Sequence, residues 1–130
     1  MIQHFPALVT VLNVFLLFGS ALAVGKAREK YGIKVPSTTG NVDFERVFRA
    51  QMNTIESSVI FLPSLWLFSS YVSPLYAGII GMIWIVARLF FVINYIRSSE
   101  ARTRPFILSV LCFSILSIGS LFGVLKALLG

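Results

Sequence analysis

The 130-residue chain is 57% hydrophobic and only 12% charged, with a mean hydropathy of +0.87. A soluble domain of this size is about a quarter charged, and it could not bury so much apolar surface. The net charge of +6 does not indicate nucleic-acid binding, because the charges are confined to short segments between apolar runs. The sequence therefore predicts one integral membrane domain.

Four long apolar runs predict an all-α, four-helix transmembrane bundle, because none of them alternates as barrel strands do. We expect helices over about residues 5–25, 43–71, 75–97 and 105–129. The first run follows no basic leader, so we expect a retained helix and not a cleaved signal. Turn-forming residues at 35–41 predict a loop. Pro63 predicts a local kink in the second helix, and Pro105 suits the first turn of the fourth.

Basic residues follow the first and third runs, whereas the turn after the second run has no charge. The first group is Lys26, Arg28, Lys30 and Lys34, and the second is Arg97, Arg102 and Arg104. The positive-inside rule places both groups in the cytoplasm and both termini on the opposite side. We therefore expect both basic segments and the polar half of the second helix to meet at one membrane face.

Small residues recur at helical spacing in the first and fourth runs. Gly19 and Ala23 form one pair, and Gly119 and Gly123 form another. Such pairs allow helices to approach closely. Packing within one chain and packing between subunits are both open at this point.

The single Cys112 lies inside an apolar run, which excludes a disulfide within the chain. We interpret it as a small apolar filler. His4 is far from it and neither has neighbouring ligands, so the sequence predicts no metal site.

The second helix is polar on two sides. Glu45, Arg49, Asn53 and Glu56 share one face at 3.6 residues per turn, and Gln51 points nearly opposite. Polar groups at membrane depth are costly and usually functional. Two polar sides require partners on two sides, so we expect an oligomer.

The third helix has a second stripe. Arg88, Phe91 and Tyr95 share a face at positions i, i+3 and i+7. If the helix continues beyond the membrane, Arg102 falls on the same stripe and Arg104 points away.

Arginines outnumber carboxylates on these surfaces. Four of them are Arg28, Arg49, Arg88 and Arg102. One interpretation is ion pairing within the chain, for example between Glu45 and Arg49 at i, i+4. The arginine excess favours instead an anionic ligand, because guanidinium groups bind carboxylates through forked hydrogen bonds. Glu56 among these arginines would suit an ammonium group, so the expected ligand has carboxylates and an amine.

The segment Phe44–Glu56 (FERVFRAQMNTIE) resembles the MAPEG family, the membrane-associated proteins of eicosanoid and glutathione metabolism. The resemblance extends over essentially the whole chain. Its other matching positions are the loop Thr38–Gly40, Ala87-Arg88-Leu89, Tyr95, Arg97-Ser98, Arg102 and Pro105. It implies a homotrimer of four-helix subunits that binds glutathione between subunits near the cytoplasmic face.

The resemblance also implies the roles of individual residues. The glutathione contacts would be Arg28, Arg49, Gln51, Asn53, Glu56, Arg88 and Tyr95. Arg102 would face the thiol as the catalytic residue and lower its pKa. The thiolate would then attack a lipophilic electrophile from the membrane lipid or reduce a lipid hydroperoxide. The implied protein is a membrane-bound glutathione transferase or peroxidase that needs no metal.

Two positions depart from the members of the family that synthesise leukotrienes: Ser57 and Phe91 stand where those members have tyrosine. This favours a general transferase or peroxidase. One alternative is a non-catalytic, lipid-binding member of the family. Another is a small multidrug-type transporter, which needs a membrane-embedded carboxylate that the first run lacks.

Overall fold

The computed structural model describes residues 1–130 and contains four long helices and no strand. The helices are α1 (Phe5–Tyr31), α2 (Val42–Tyr71), α3 (Pro74–Arg97) and α4 (Thr103–Leu129), and a short 3-10 turn at Ile2–His4 precedes them. The predicted all-α, four-helix architecture is confirmed.

The helix ends follow from local capping. The side chain of Asn41 accepts a hydrogen bond from the Phe44 N–H at 3.0 Å and starts α2. Gly32, with φ of 68°, ends α1 in the left-handed conformation that favours glycine. The apolar run alone predicted an end near residue 25. The helix instead continues to Tyr31, because the charged residues after Gly25 are mostly good helix formers.

The connection between α3 and α4 breaks the helix. Ser98 is extended, with φ of −161° and ψ of 135°. Its hydroxyl accepts from the Glu100 N–H at 3.3 Å, and the Asn94 side-chain amide donates to the Ala101 carbonyl at 3.2 Å. Side chains of this kind compete with helical hydrogen bonding and favour turns. The continuation of α3 that would have put Arg102 on its stripe is therefore wrong.

The helices run alternately up and down around a core that extends along the bundle. Phe61 of α2 stacks on Trp84 of α3 with ring centroids 3.8 Å apart. A second apolar cluster joins the end of α1 to the start of α2 through Val24 and Phe44. α2 remains helical through Pro63.

The two pairs of small residues have different surroundings. A Cβ added to Gly119 would lie 2.5 Å from the Phe68 ring, and one at Gly123 would lie 2.9 Å from the Tyr71 backbone oxygen. The α4 pair therefore packs against α2 within the chain. A Cβ added to Gly19 would meet no atom within 4 Å, so this position of α1 faces outward.

The outside of the bundle is apolar, with large exposed side chains such as Phe15, Phe18, Ile118 and Phe122. Three segments are each long and apolar enough to cross a membrane: residues 2–31, α3 and α4. α2 has the necessary length, but the charges in its first half make it less apolar. An outer surface of this kind is that of an integral membrane protein.

Candidate functional site

The polar residues gather at the end of the bundle where α2 and α4 begin and α3 ends. A cleft of about 230 Å³ opens there beside the starting turns of α2. Its lining residues are Val42, Glu45, Arg46, Arg49, Tyr95 and Ser99. Of the residues predicted to bind a ligand, the cleft brings together Arg49 and Tyr95.

Arg102 lies beside this cleft. Its guanidinium carbon is 5.1 Å from the centroid of the Tyr95 ring, and its buried Nε has no hydrogen-bond partner. Arg102 is the residue immediately before α4, and it reaches this position from there and not from an extension of α3. Arg104, in the first turn of α4, is exposed. The two arginines therefore have different surroundings, with Arg102 against the Tyr95 ring and Arg104 exposed.

Arg88 is fully buried and connects three helices. Its Nη2 donates to Asn53 Oδ1 and to Thr54 Oγ1, both at 2.9 Å, and its Nη1 donates to Ser109 Oγ at 3.3 Å. Its guanidinium carbon also lies 3.9 Å from the centroid of the Phe91 ring. The predicted stripe of Arg88, Phe91 and Tyr95 thus exists, but its arginine lies beneath Asn53 and not in the cleft.

One salt bridge lies on the exposed face of α2, between Arg49 and Glu56. Arg49 and Glu56 are 3.8 Å apart, and both side chains are about half exposed, at 50% and 57%. Glu45 forms no salt bridge, so the alternative interpretation of pairing within the chain holds for Arg49 with Glu56 and not for Glu45 with Arg49. A seven-residue separation brings the Arg49 and Glu56 side chains onto one line two turns apart.

Arg28 and Gln51 lie outside the cleft. Arg28 Nη1 donates to the carbonyl oxygens of Ser37 at 2.8 Å and Ile33 at 3.4 Å, and its guanidinium covers the Phe44 ring at 5.0 Å. Within one chain Arg28 therefore holds the loop between α1 and α2. Gln51 is half-buried. A single subunit does not assemble all of the predicted residues.

The structure adds residues that the sequence did not assign. Arg46 lines the cleft, forms a salt bridge with Asp43 and donates through Nε to the Ile96 carbonyl at 3.3 Å. Thr54 and Ser109 accept hydrogen bonds from Arg88. Hydroxyls at membrane depth beside an arginine stripe were a usable signal for these two. No group of three or more His, Cys, Asp or Glu side chains that could hold a metal ion is present.

The fold and the site define an integral membrane protein of four helices, with a polar, arginine-lined cleft at one end of the bundle. The chain belongs to the MAPEG family, whose sequence model matches residues 6–122.

Three relatives illustrate the similarity. An uncharacterised protein of Synechocystis sp., sll1147, is 44% identical over 92% of this chain and 88% of its own length. Human microsomal glutathione S-transferase 2 is 34% identical, over 95% of this chain and 84% of its own. Leukotriene C4 synthase of Cavia porcellus is 37% identical, over 76% of this chain and 66% of its own.

Proposed function

We propose that this protein is a membrane-bound glutathione transferase that activates glutathione as a thiolate. The observation that carries the proposal is Arg102, whose guanidinium covers Tyr95 at the arginine-lined cleft and which belongs to neither salt bridge of the chain. A cation without a carboxylate partner beside a polar cleft is suited to a developing anion. The names of two relatives, a glutathione S-transferase and leukotriene C4 synthase, support the same chemistry.

The charges of the site match the tripeptide. Glutathione has two carboxylates, one ammonium group and a thiol. Arg49 is half exposed and can exchange Glu56 for a ligand carboxylate, which leaves Glu56 to accept from the ammonium group. Tyr95 lines the cleft, and Asn53 lies one helical turn from both members of the ion pair.

Assembly as a homotrimer would complete the site. Arg28 and Gln51 are absent from the cleft of their own chain, but a neighbouring subunit could bring them to it. Gly19 and the exposed side chains of α1 around it are available for contact with such a neighbour or with lipid. We place the site at the cytoplasmic face, with both termini on the other side, because both basic segments lie at this end.

The proposed reaction joins a thiol held at the polar cleft to an apolar substrate dissolved in the bilayer. The thiol of free glutathione, with a pKa of about 8.5, is mostly protonated at neutral pH, and a nearby arginine favours the thiolate. The thiolate sulfur forms a bond to an electrophilic carbon of a substrate dissolved in the bilayer, and the leaving group departs with its electron pair. With a lipid hydroperoxide, two glutathione molecules would give the disulfide, the lipid alcohol and water.

Leukotriene synthesis in particular is not proposed. Ser57 and Phe91 are both buried in this chain, and Phe91 packs edge-on against Tyr95 at 5.5 Å. Neither side chain offers a phenolic hydroxyl to a ligand. A general electrophile is therefore the better candidate for the second substrate.

The direct test is stopped-flow absorbance at the thiolate band when glutathione is mixed with the detergent-solubilised protein. We expect absorbance to rise with the glutathione concentration until the site is saturated, together with release of protons. Conjugation of chlorodinitrobenzene would follow in the same preparation. If the protein binds glutathione without forming thiolate, the transferase proposal is wrong.

A non-catalytic lipid-binding protein is the second candidate. The observation that favours it is an apolar groove of about 410 Å³ on the outer side of the bundle, lined only by hydrophobic residues. A lipid ligand would bind there without need of the polar cleft. Isothermal titration calorimetry separates the two candidates, because the lipid-binding candidate predicts no heat of glutathione binding.

A further inference from the structure

We infer that Arg88 is a positioning residue: it fixes the Asn53 amide with its oxygen inward, so that Asn53 offers only N–H donors to a carboxylate of the bound tripeptide. This inference rests on the proposed function and assigns to Asn53 and Arg88 different parts in it. Arg88 acts through Asn53 and does not itself contact the ligand.

The orientation of the amide follows from the chemistry of the guanidinium group. Arg88 Nη2 lies 2.9 Å from Asn53 Oδ1. A guanidinium group has donors and no acceptor, so the amide nitrogen of Asn53 has no favourable interaction with it. The identity of the amide atoms, which is often ambiguous, is therefore determined here by the partner.

The other end of the amide is available to a ligand. Asn53 is half-buried, and its Nδ2 donates to no group of the chain. Asn53 follows Arg49 by four residues and precedes Glu56 by three, so all three side chains lie on one face of α2. The outward N–H groups of Asn53 thus lie between Arg49, which would match a carboxylate of the ligand, and Glu56, which would match its ammonium group.

The charge of Arg88 strengthens the preference of the Asn53 N–H groups for a carboxylate. The two salt bridges of the chain are Arg46 with Asp43 and Arg49 with Glu56, so no carboxylate balances Arg88. Hydrogen bonds in series polarise one another in a medium of low dielectric constant. A cation that donates to Oδ1 makes the opposite N–H groups better donors. The pair therefore favours an acceptor such as a carboxylate and disfavours an ammonium group.

Arg88 is held rigidly enough for this task. Thr54 on α2, Ser109 on α4 and the ring of Phe91 on α3 hold its guanidinium from three helices. Of these contacts, the bond to Ser109 uses Nη1, whereas the bond to Asn53 uses Nη2.

The experiment measures glutathione binding by titration calorimetry, and thermal unfolding, for the purified oligomer and the variant Asn53→Asp. The introduced carboxylate would still accept from Arg88 and would form an ion pair with it, but it would present an acceptor outward. We expect an unfolding temperature at or above that of the wild type and glutathione binding weakened more than tenfold. The glutathione KM should rise by a larger factor than kcat falls, because Arg102 is still present.

Two further variants serve as controls. Arg104→Ala, at an exposed residue that does not contact Arg88 or Asn53, should leave the glutathione Kd within about twofold of the wild-type value. Arg88→Lys keeps a cationic donor beside Asn53 Oδ1, so it should bind glutathione more tightly than Arg88→Met, in which the amide can rotate.

The outcomes separate the inference from the proposed function. If wild-type protein binds glutathione and Asn53→Asp binds it equally well, the inference is overturned and the transferase proposal stands. If Asn53→Asp loses binding only together with a fall in unfolding temperature, Asn53 is structural and the inference is again overturned. If wild-type protein does not bind glutathione, both proposals are wrong.

Discussion

Replacing Arg102 with alanine removes the guanidinium group that covers the Tyr95 ring at the edge of the cleft. The charge of Arg102 favours the thiolate of bound glutathione over the thiol, so its loss should raise the pKa of that thiol. We expect Arg102→Ala to lower kcat far more than it weakens glutathione binding, because Arg49 and Asn53 remain to hold the tripeptide.

The size of the effect follows from the position of the charge. Two unit charges about 4 Å apart interact by about 4 kcal/mol at an effective dielectric constant of 20. Arg102 is partly exposed, so solvent screens its charge and about 1.4 to 2.8 kcal/mol should remain. This corresponds to about one to two pKa units, or a tenfold to hundredfold fall in the thiolate fraction below the thiol pKa.

The assay is the rate of chlorodinitrobenzene conjugation as a function of pH at saturating glutathione. The profile of Arg102→Ala should move to higher pH by about one to two units, and the difference from the wild type should shrink once the pH exceeds both thiol pKa values. Arg104→Ala is the matched control, since Arg104 is exposed in the first turn of α4. If Arg104→Ala abolishes the thiolate and Arg102→Ala does not, the wrong arginine has been assigned. If neither variant moves the profile, neither arginine stabilises the thiolate and the proposed role of Arg102 is wrong.

Further predictions concern assembly, binding and packing. We expect a homotrimer in analytical ultracentrifugation with density-matched detergent, since Arg49 and Gln51 lie on different sides of α2; a monomer that still binds glutathione would disprove an interfacial site. Arg49→Ala should weaken glutathione binding more than tenfold, because a lost charge-assisted hydrogen bond costs about 1.5–3 kcal/mol, and failure of that variant to assemble would instead support a structural role. Gly119→Ala should lower the thermal unfolding temperature, because its methyl group would overlap the Phe68 ring, at about 1–3 kcal/mol. Gly19→Ala, with no atom within 4 Å, should cause no loss of stability; an equal loss in both variants would refute the packing argument.

The fold could be predicted because lipid imposes simple constraints on sequence. Apolar runs separated by charged or turn-forming residues allow only spanning helices, and the four helices occur where the runs are. Helix ends depend on finer interactions. The end of α1 is set by the left-handed Gly32 beyond a charged but helical segment, so hydropathy alone placed it too early. The end of α3 depends on side-chain hydrogen bonds of Asn94 and Ser98 that a periodic pattern does not contain.

The candidate site was predictable in composition but not in arrangement. Helical spacing put Arg88 beside Phe91 and Arg49 beside Glu56, as the structure has them. Spacing along one helix says nothing about depth, so it did not reveal that Arg88 is fully buried beneath Asn53.

Residues in the connections were harder to place than those in the helices. Arg28 donates to the carbonyl oxygens of Ile33 and Ser37, a contact that depends on the path of the following loop. Arg102 meets Tyr95 through a turn, which no regular period predicts.

The burial of Arg88 has a consequence for how the chain enters the bilayer. An arginine near the centre of an isolated membrane helix costs about 2.5–3.5 kcal/mol on insertion scales. Its partners Asn53 and Thr54 belong to α2, which is synthesised before α3, and only Val72 and Ser73 separate the two helices. α2 is also the helix least suited to lipid by itself. We therefore expect α2 and α3 to leave the translocation machinery as a preformed hairpin, in which each hides the polar groups of the other. Ser109 would complete the coordination of Arg88 when α4 follows.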